Sequence, residues 1–124
     1  MSTPALIIFK NETENLTCLY KHFDGYPERL KNKLELTLET TKKEKLYKNN
    51  FKIPEMDNFS VFFLYNLFKY EEKNNTLGYL SDYHIINIDK NESDFDKLRK
   101  MYGVVYIYLI EQVDEKFSIV IKEV

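Results

Sequence analysis

The sequence predicts an α+β fold, in which a mainly antiparallel sheet of about five strands carries packed helices in the order β-β-α-α-β-α-β-β. Strand-like runs stand in pairs at both ends of the chain, which is typical of β-hairpins. Between them, apolar residues recur at helical spacing. Hydrophobic residues make up 44% of the 124 residues and aromatic residues 15%. This is enough to build the core of a single domain over residues 1–124.

The first hairpin is predicted from two apolar runs joined by a polar turn. Ala5–Lys10 is apolar up to its final lysine, which is typical of a buried strand. Five polar residues follow, and Leu16–His22 resumes the strand pattern. Side chains alternate between the two faces of a strand. One face of the second strand should therefore carry Leu16, Cys18, Tyr20 and His22.

A turn and the start of a helix follow this hairpin. Asp24-Gly25 is a strong turn signal, because glycine takes positive φ without steric cost. Pro27 suits the first turn of a helix, where its missing N–H is not needed. Leucines then recur at Leu30, Leu34 and Leu38, but residues 33–40 also alternate as a strand would. The proline favours a helix, and the strand alternative stays open.

The middle of the chain contains a polar segment and a second helix. Thr40–Lys52 is the most polar stretch and is interpreted as a connection, and the alternative that the first helix runs into it stays open. Pro54 and Asp57 mark the next helix start. Between Phe59 and Tyr70 the apolar residues lie on nearly every side of that helix. Such a helix is either deeply buried or covered by a partner.

A strand and a short helix are predicted next. Leu80–Ile88 mixes apolar residues with alternation, as a strand does. Ser93 and Asp96 have the spacing of a capping box at a helix start. Gly103 suits the position just after the helix end.

The last two strands are predicted to form a hairpin. Val104–Ile110 is β-branched and aromatic on both faces, which predicts a central strand. Residues 112–116 are interpreted as the turn. Alternation over Phe117–Lys122 then predicts the closing strand.

Composition excludes several classes of protein. Eighteen basic and twenty acidic residues give a net charge of −2, so a general nucleic-acid binder is disfavoured. Cys18 is the single cysteine and cannot form an internal disulfide. No signal peptide or membrane-spanning run is recognisable. These features predict a cytoplasmic protein without a membrane partner.

The most distinctive cluster of polar and aromatic residues is Tyr20, His22, Asp24 and Tyr26, which we consider a candidate ligand-binding site. Histidine is the side chain most often used for proton transfer near neutral pH. His22 and Asp24 are therefore candidate catalytic residues as an acid/base pair, with Tyr26 nearby. The alternative is that Asp24 only sets the turn, around which His22 and Tyr26 pack.

Two other groups of residues could in principle form a site. A metal site built from Cys18, His22, Asp82 and His84 lacks any recognised ligand spacing, so neither a metal nor a cofactor is predicted. A lysine-rich segment interleaved with Tyr47 and Phe51 could follow a phosphate backbone. Because Glu44 interrupts it, a solvated connection is favoured over a nucleic-acid site. The lysines of this segment are Lys42, Lys43, Lys45, Lys48 and Lys52.

The string from Tyr20 to Pro27 resembles one found in a family of small uncharacterised proteins of phages, prophages and bacteria. Those proteins carry a tyrosine, a basic residue, histidine, an aromatic residue and Asp-Gly-Tyr-Pro after an N-terminal hairpin. They also end in a strand rich in tyrosine and valine, which the stretch Tyr102–Glu111 resembles. The resemblance implies an accessory protein of a virus or mobile element. The family has no established activity, so no functional residue is carried over from it.

Three functions follow from these observations. The leading one is a small non-enzymatic protein that sequesters or blocks a host protein or a small ligand, and that could form a homodimer. It is favoured because catalytic motifs are absent and because nineteen Phe and Tyr exceed the needs of a small core. The alternatives are a small hydrolase using His22 and Asp24, and a nucleic-acid-associated protein using the segment Lys42–Lys52.

Overall fold

The computed structural model describes residues 3–48, 54–74 and 82–123. The described elements follow the predicted order and confirm the α+β class. They are β1 (Ala5–Lys10), β2 (Asn15–Lys21), α1 (Pro27–Glu44), α2 (Glu55–Lys73), β3 (Tyr83–Ile86), α3 (Phe95–Tyr102), β4 (Tyr106–Val113) and β5 (Lys116–Lys122).

The five strands form one sheet in the order β3-β2-β1-β4-β5. Neighbouring strands are antiparallel except β1 and β4, which run parallel. The mainly antiparallel sheet is thus confirmed, and so are both terminal hairpins. Residues Ala5 to Phe9 of β1 are fully buried. Strands covered on both faces read as continuous apolar runs, which explains the composition of β1.

Helices cover both faces of the sheet. On one face, α1 and α2 enclose a core with Ile7, Phe9 and Tyr108. On the other face, α3 packs through Leu98 against a second core that includes Leu6. We refer to these as the α1/α2 face and the α3 face.

Residues 33–40 are helical, which settles the alternative left open by the sequence. Leu34 and Leu38 are buried and Leu36 is exposed, as expected for one side of a helix. Helix α1 continues to Glu44, so only the later part of the polar segment is a connection. Residues 49–53 lie outside the described part of the chain.

The final turn is shorter than predicted. Strand β4 continues to Val113 and β5 begins at Lys116, so residues 112–116 are mostly strand. Asp114 takes the positive φ of 56° that the tight turn requires. Strand β4 also begins at Tyr106, two residues later than predicted, and Val104 and Val105 lie before it.

Three local predictions need correction or restriction. The cap of α3 is Asp94, whose side chain accepts from the N–H of Lys97, and not Ser93. Leu16 packs on the α1/α2 face, apart from Cys18 and Tyr20, because the register shifts between Phe9 and Lys10 and interrupts the alternation. Within the predicted strand 80–88, residues 83–86 are β3, and residues 80 and 81 lie outside the described residues.

Candidate functional site

The turn between β2 and α1 is built around Gly25, for a reason that differs from the prediction. The residue with positive φ is Asp24, at 53°. Gly25 instead allows close packing: a Cβ there would lie 2.6 Å from the Thr3 carbonyl oxygen and 2.7 Å from the Cβ of Ala5. Its carbonyl accepts a hydrogen bond of 2.6 Å from the Tyr108 hydroxyl. The glycine therefore fixes the turn against β1 and β4.

The structure brings two of the four predicted site residues together. The Tyr20 hydroxyl lies 2.8 Å from Nδ1 of His22. Asp24 is exposed, and no hydrogen bond or ion pair joins it to His22 in the described part of the chain. Tyr26 stands at the start of α1, where its hydroxyl accepts from Nε of Arg29 at 3.2 Å. The described contacts therefore give His22 a tyrosine partner, and give no support to an acid/base pair with Asp24.

Asp82 holds the end of β2 in place, a role that the sequence did not indicate. Its carboxylate accepts from Nζ of Lys21 at 2.6 Å and from the backbone N–H groups of His22 and Phe23. The side chains of Lys21 and Asp82 are almost fully withdrawn from solvent. A lysine at an inward position of a predicted strand is the signal that could have revealed this pair, since buried charges are paired.

The residues weighed as metal ligands lie in different environments. Cys18 is buried beneath α3, and burial raises the pKa of its thiol to about 12. Asp82 is paired with Lys21, and His84 is an exposed cross-strand neighbour of Tyr20. Among the described residues, no group of three or more His, Cys, Asp or Glu side chains is arranged to hold a metal ion.

Three lysines of the polar segment line a shallow pocket. Lys42, Lys45 and Lys48 surround about 270 Å³ together with Tyr47, Glu55 and Glu115. The Tyr47 ring packs edge-on against Phe59 and Phe117 and is buried, so its face is not available for stacking with a base. Burial and the nearby carboxylates of Glu55 and Glu115 raise its pKa. Phe51 and Lys52 of this segment lie outside the described residues.

The outward side of α2 carries a stripe of exposed apolar residues. Val61, Tyr65 and Phe68 are spaced at i, i+4 and i+7, so they share one side of the helix. They are 62%, 54% and 44% exposed. The sequence indicated this surface only through the apolar residues on nearly every side of α2. That pattern does not identify the side that is left exposed.

Ile85 is a further exposed apolar residue, on the face of the sheet that carries α2. It is 73% exposed, and it is in register with the buried Leu19 of β2. Directly opposed residues of neighbouring strands share a face, so Ile85 lies on the α1/α2 face. Ser60 of α2 is 3.5 Å from Thr17 of β2, which places α2 over the β2 side of the sheet. We define the α2–β3 surface as Val61, Tyr65, Phe68 and Ile85.

Strand β3 is an edge of the sheet, and its outer side pairs with no strand in residues 3–48, 54–74 and 82–123. The N–H of His22 donates to the carbonyl of Asp82, so Asp82 turns its backbone groups towards β2. Backbone groups in a strand alternate in direction. His84 and Ile86 therefore also point towards β2, and the N–H and C=O groups of Tyr83 and Ile85 point outward.

The two edges of the sheet differ in chemistry. At the opposite edge, β5 exposes Lys116, Ser118 and Lys122, and charged side chains are a common means of preventing strand addition. The four residues of β3 are Tyr-His-Ile-Ile, with neither lysine nor proline. Within the described residues, the β3 edge is short and has none of these protective side chains.

Comparisons with known proteins give no relative from which a function could be transferred. No family model, curated protein or solved structure matches the chain. Within the described residues, no helix is both long and apolar enough to cross a membrane. The candidate functional sites are therefore the two features described above, the β2–α1 turn and the α2–β3 surface.

Proposed function

We propose that this protein is a non-enzymatic binding protein that engages a protein partner through the α2–β3 surface. The observation that carries the proposal is the unpaired edge of β3 beside exposed apolar side chains on the same face. Exposed apolar patches next to polar surroundings are typical of sites of protein association.

The surface offers both components of strand addition. Outward N–H and C=O groups at Tyr83 and Ile85 can hydrogen-bond an added strand. Alternate side chains of that strand would lie on the α1/α2 face, where Ile85 and Phe68 supply apolar contacts. Backbone pairing gives affinity in this mode of recognition, and the neighbouring side chains give specificity.

The two alternatives have weaker support. A hydrolase that used His22 and Asp24 as an acid/base pair would bring the two side chains together, but the described polar partner of the His22 ring is the Tyr20 hydroxyl. A nucleic-acid site would use the pocket of Lys42, Lys45 and Lys48, but two glutamates share that pocket and would repel phosphate. The cytoplasmic location and the accessory role in a virus or mobile element remain predictions.

Site-specific photo-crosslinking tests the proposal. A photoreactive amino acid replaces Ile85, and cells that make the protein are irradiated before the adducts are identified by mass spectrometry. We expect a discrete protein adduct, with this chain itself counted among the possible partners. The matched control is the same replacement at Met101, an exposed apolar residue on α3. Equal adduct patterns at the two positions, or none at either, would contradict the proposal.

A further inference from the structure

We infer that the partner on the α2–β3 surface is a second copy of this chain, joined β3 to β3 about a two-fold axis perpendicular to the sheet. The two five-stranded sheets then become one sheet of ten strands. This inference rests on the proposed function and specifies its partner.

The pairing register follows from the direction of the backbone groups. Tyr83 and Ile85 are the residues of β3 that point outward. An antiparallel pairing centred on His84 places Tyr83 of each copy opposite Ile85 of the other. All four outward N–H groups and all four carbonyls are then used, and the two His84 residues face each other at the axis.

The same axis brings the helices together. A two-fold axis perpendicular to the sheet keeps both α2 helices on one face of the joined sheet. In each copy Asn66 of α2 donates to Thr41 of α1, so α1 lies on the other side of α2 and the stripe faces away from it, towards the β3 edge and the axis. The two Ile85 side chains lie between the helices. The four residues of the α2–β3 surface thus become one continuous apolar contact.

A second copy fits this surface better than an isolated strand from another protein. An isolated strand would cover the β3 edge but would leave Val61 and Tyr65 of α2 in solvent. The missing partner must supply a strand and, on the same face, an apolar helix. Another copy supplies both.

Charge also permits self-pairing at β3 and disfavours it at β5. A two-fold contact places each residue near its own equivalent. The four side chains of the α2–β3 surface are uncharged, and the charge of Lys69 lies at its margin, 5.2 Å from the centre of the Tyr65 ring. The same contact at β5 would bring together the exposed Lys116 and Lys122 of the two copies.

The exposed area predicts a dimer of modest affinity. If a whole large side chain offers ~150–250 Å², the four exposed side chains supply roughly 400 Å² per copy. A standard interface buries about 800 Å² per partner. The paired backbone and the half-buried Leu64 and Tyr83 can add to this area. We expect a dissociation constant on the order of micromolar.

Sedimentation velocity across micromolar concentrations tests the inference. The wild-type protein should pass from its 15.0 kDa monomer to twice that mass as concentration rises. Ile85→Lys should remain monomeric over the same range with an unchanged circular dichroism spectrum, because this side chain faces solvent in the monomer. Met101→Lys, the matched control on α3, should dimerise like the wild type. A monomer at about 200 µM wild-type protein, well above the expected dissociation constant, would overturn the inference.

A disulfide reports the register independently. In the inferred pairing, the His84 residues oppose each other as a non-hydrogen-bonded pair, which is close enough for a disulfide. His84→Cys should give a covalent dimer on mild oxidation, and Met101→Cys should not. The native Cys18 is buried and should not compete. Equal dimer yields from the two cysteine variants would overturn the register.

The experiments distinguish failure of the self-pairing from failure of the proposed binding function. A monomer in sedimentation together with a foreign-protein adduct at position 85 overturns the self-pairing and supports the wider binding function. A monomer without any position-specific adduct overturns both.

Discussion

The two glycines at turns, Gly25 and Gly103, resist substitution for different physical reasons. A Cβ at Gly25 would overlap the Thr3 carbonyl and the Ala5 side chain, whereas at Gly103 it would meet nothing within 4 Å. Gly103 is instead held at a φ of +64°, which Asn tolerates better than Ala.

We therefore expect asparagine to be more destabilising at position 25 than at position 103. Gly25→Asn should lower the free energy of unfolding by about 1–3 kcal/mol or more, because the packed turn cannot admit it. Gly103→Asn should cost less than Gly103→Ala, whose strain is about 1–2 kcal/mol. Urea denaturation of the three variants measures their free energies of unfolding. Equal losses for Gly25→Asn and Gly103→Asn would refute the distinction.

Burial of Cys18 predicts a pH dependence of stability. The pKa of its thiol is raised from 9.0 to about 12 in the folded protein. Above pH 9 the unfolded chain loses this proton and the folded chain keeps it, so stability falls as pH rises towards 12. A single group of this kind contributes about 1.4 kcal/mol per pH unit in that window.

Urea denaturation between pH 8.5 and 10 checks this prediction, and Cys18→Ala serves as the reference. The variant should lose less stability per pH unit than the wild type, whatever its stability at pH 7. Burial also raises the pKa values of the Tyr83 and Tyr108 hydroxyls, so both proteins should weaken further above pH 10. Parallel pH profiles for the two proteins would argue against a thiol that stays protonated.

At the scale of elements, the two sides of α2 should respond differently to truncation. Phe63 is fully buried between α2 and the sheet, where it packs edge-on against Phe9 at 5.2 Å. Phe68 lies on the outward side. Phe63→Ala should lower the free energy of unfolding by about 3–5 kcal/mol, and Phe68→Ala by less than about 1 kcal/mol.

Denaturation must be followed at a protein concentration below the expected dissociation constant of the dimer, so that only the monomer is measured. A large loss from Phe68→Ala under these conditions would mean that the outward side is packed within the monomer. The α2–β3 surface would then not be free for a partner.

The sequence was sufficient for most elements because their signals are local. Pro27 and the leucine spacing located α1, and the apolar run from Ala5 located β1. Leu16 was misplaced because a shift of register depends on the partner strand. Which side of α2 faces solvent depends on where the sheet ends beneath the helix. The spacing of apolar residues within α2 does not give this information.

At the scale of the whole molecule, the pairing of strands that are far apart in the sequence could not be predicted. Hairpins join neighbours in the chain, so they could be expected at both ends. The parallel contact of β1 with β4 joins Ala5 to Tyr106, and no local pattern encodes it. The candidate site was affected in the same way. The string around His22 is recognisable in the sequence by its residue types, whereas the α2–β3 surface exists only once α2 and β3 have come together.

The parallel contact between β1 and β4 has a consequence for biosynthesis. The strand at the centre of the sheet is made among the first, yet one of its two neighbours is made roughly a hundred residues later. A nascent chain can close the β1–β2 hairpin on the ribosome, but the other edge of β1 stays open until β4 emerges. While the residues between β1 and β4 are being made, the apolar residues Ala5 to Phe9 are therefore available for mispairing. We expect soluble yield in the cell to depend on translation speed and chaperone supply more than equilibrium stability alone would suggest.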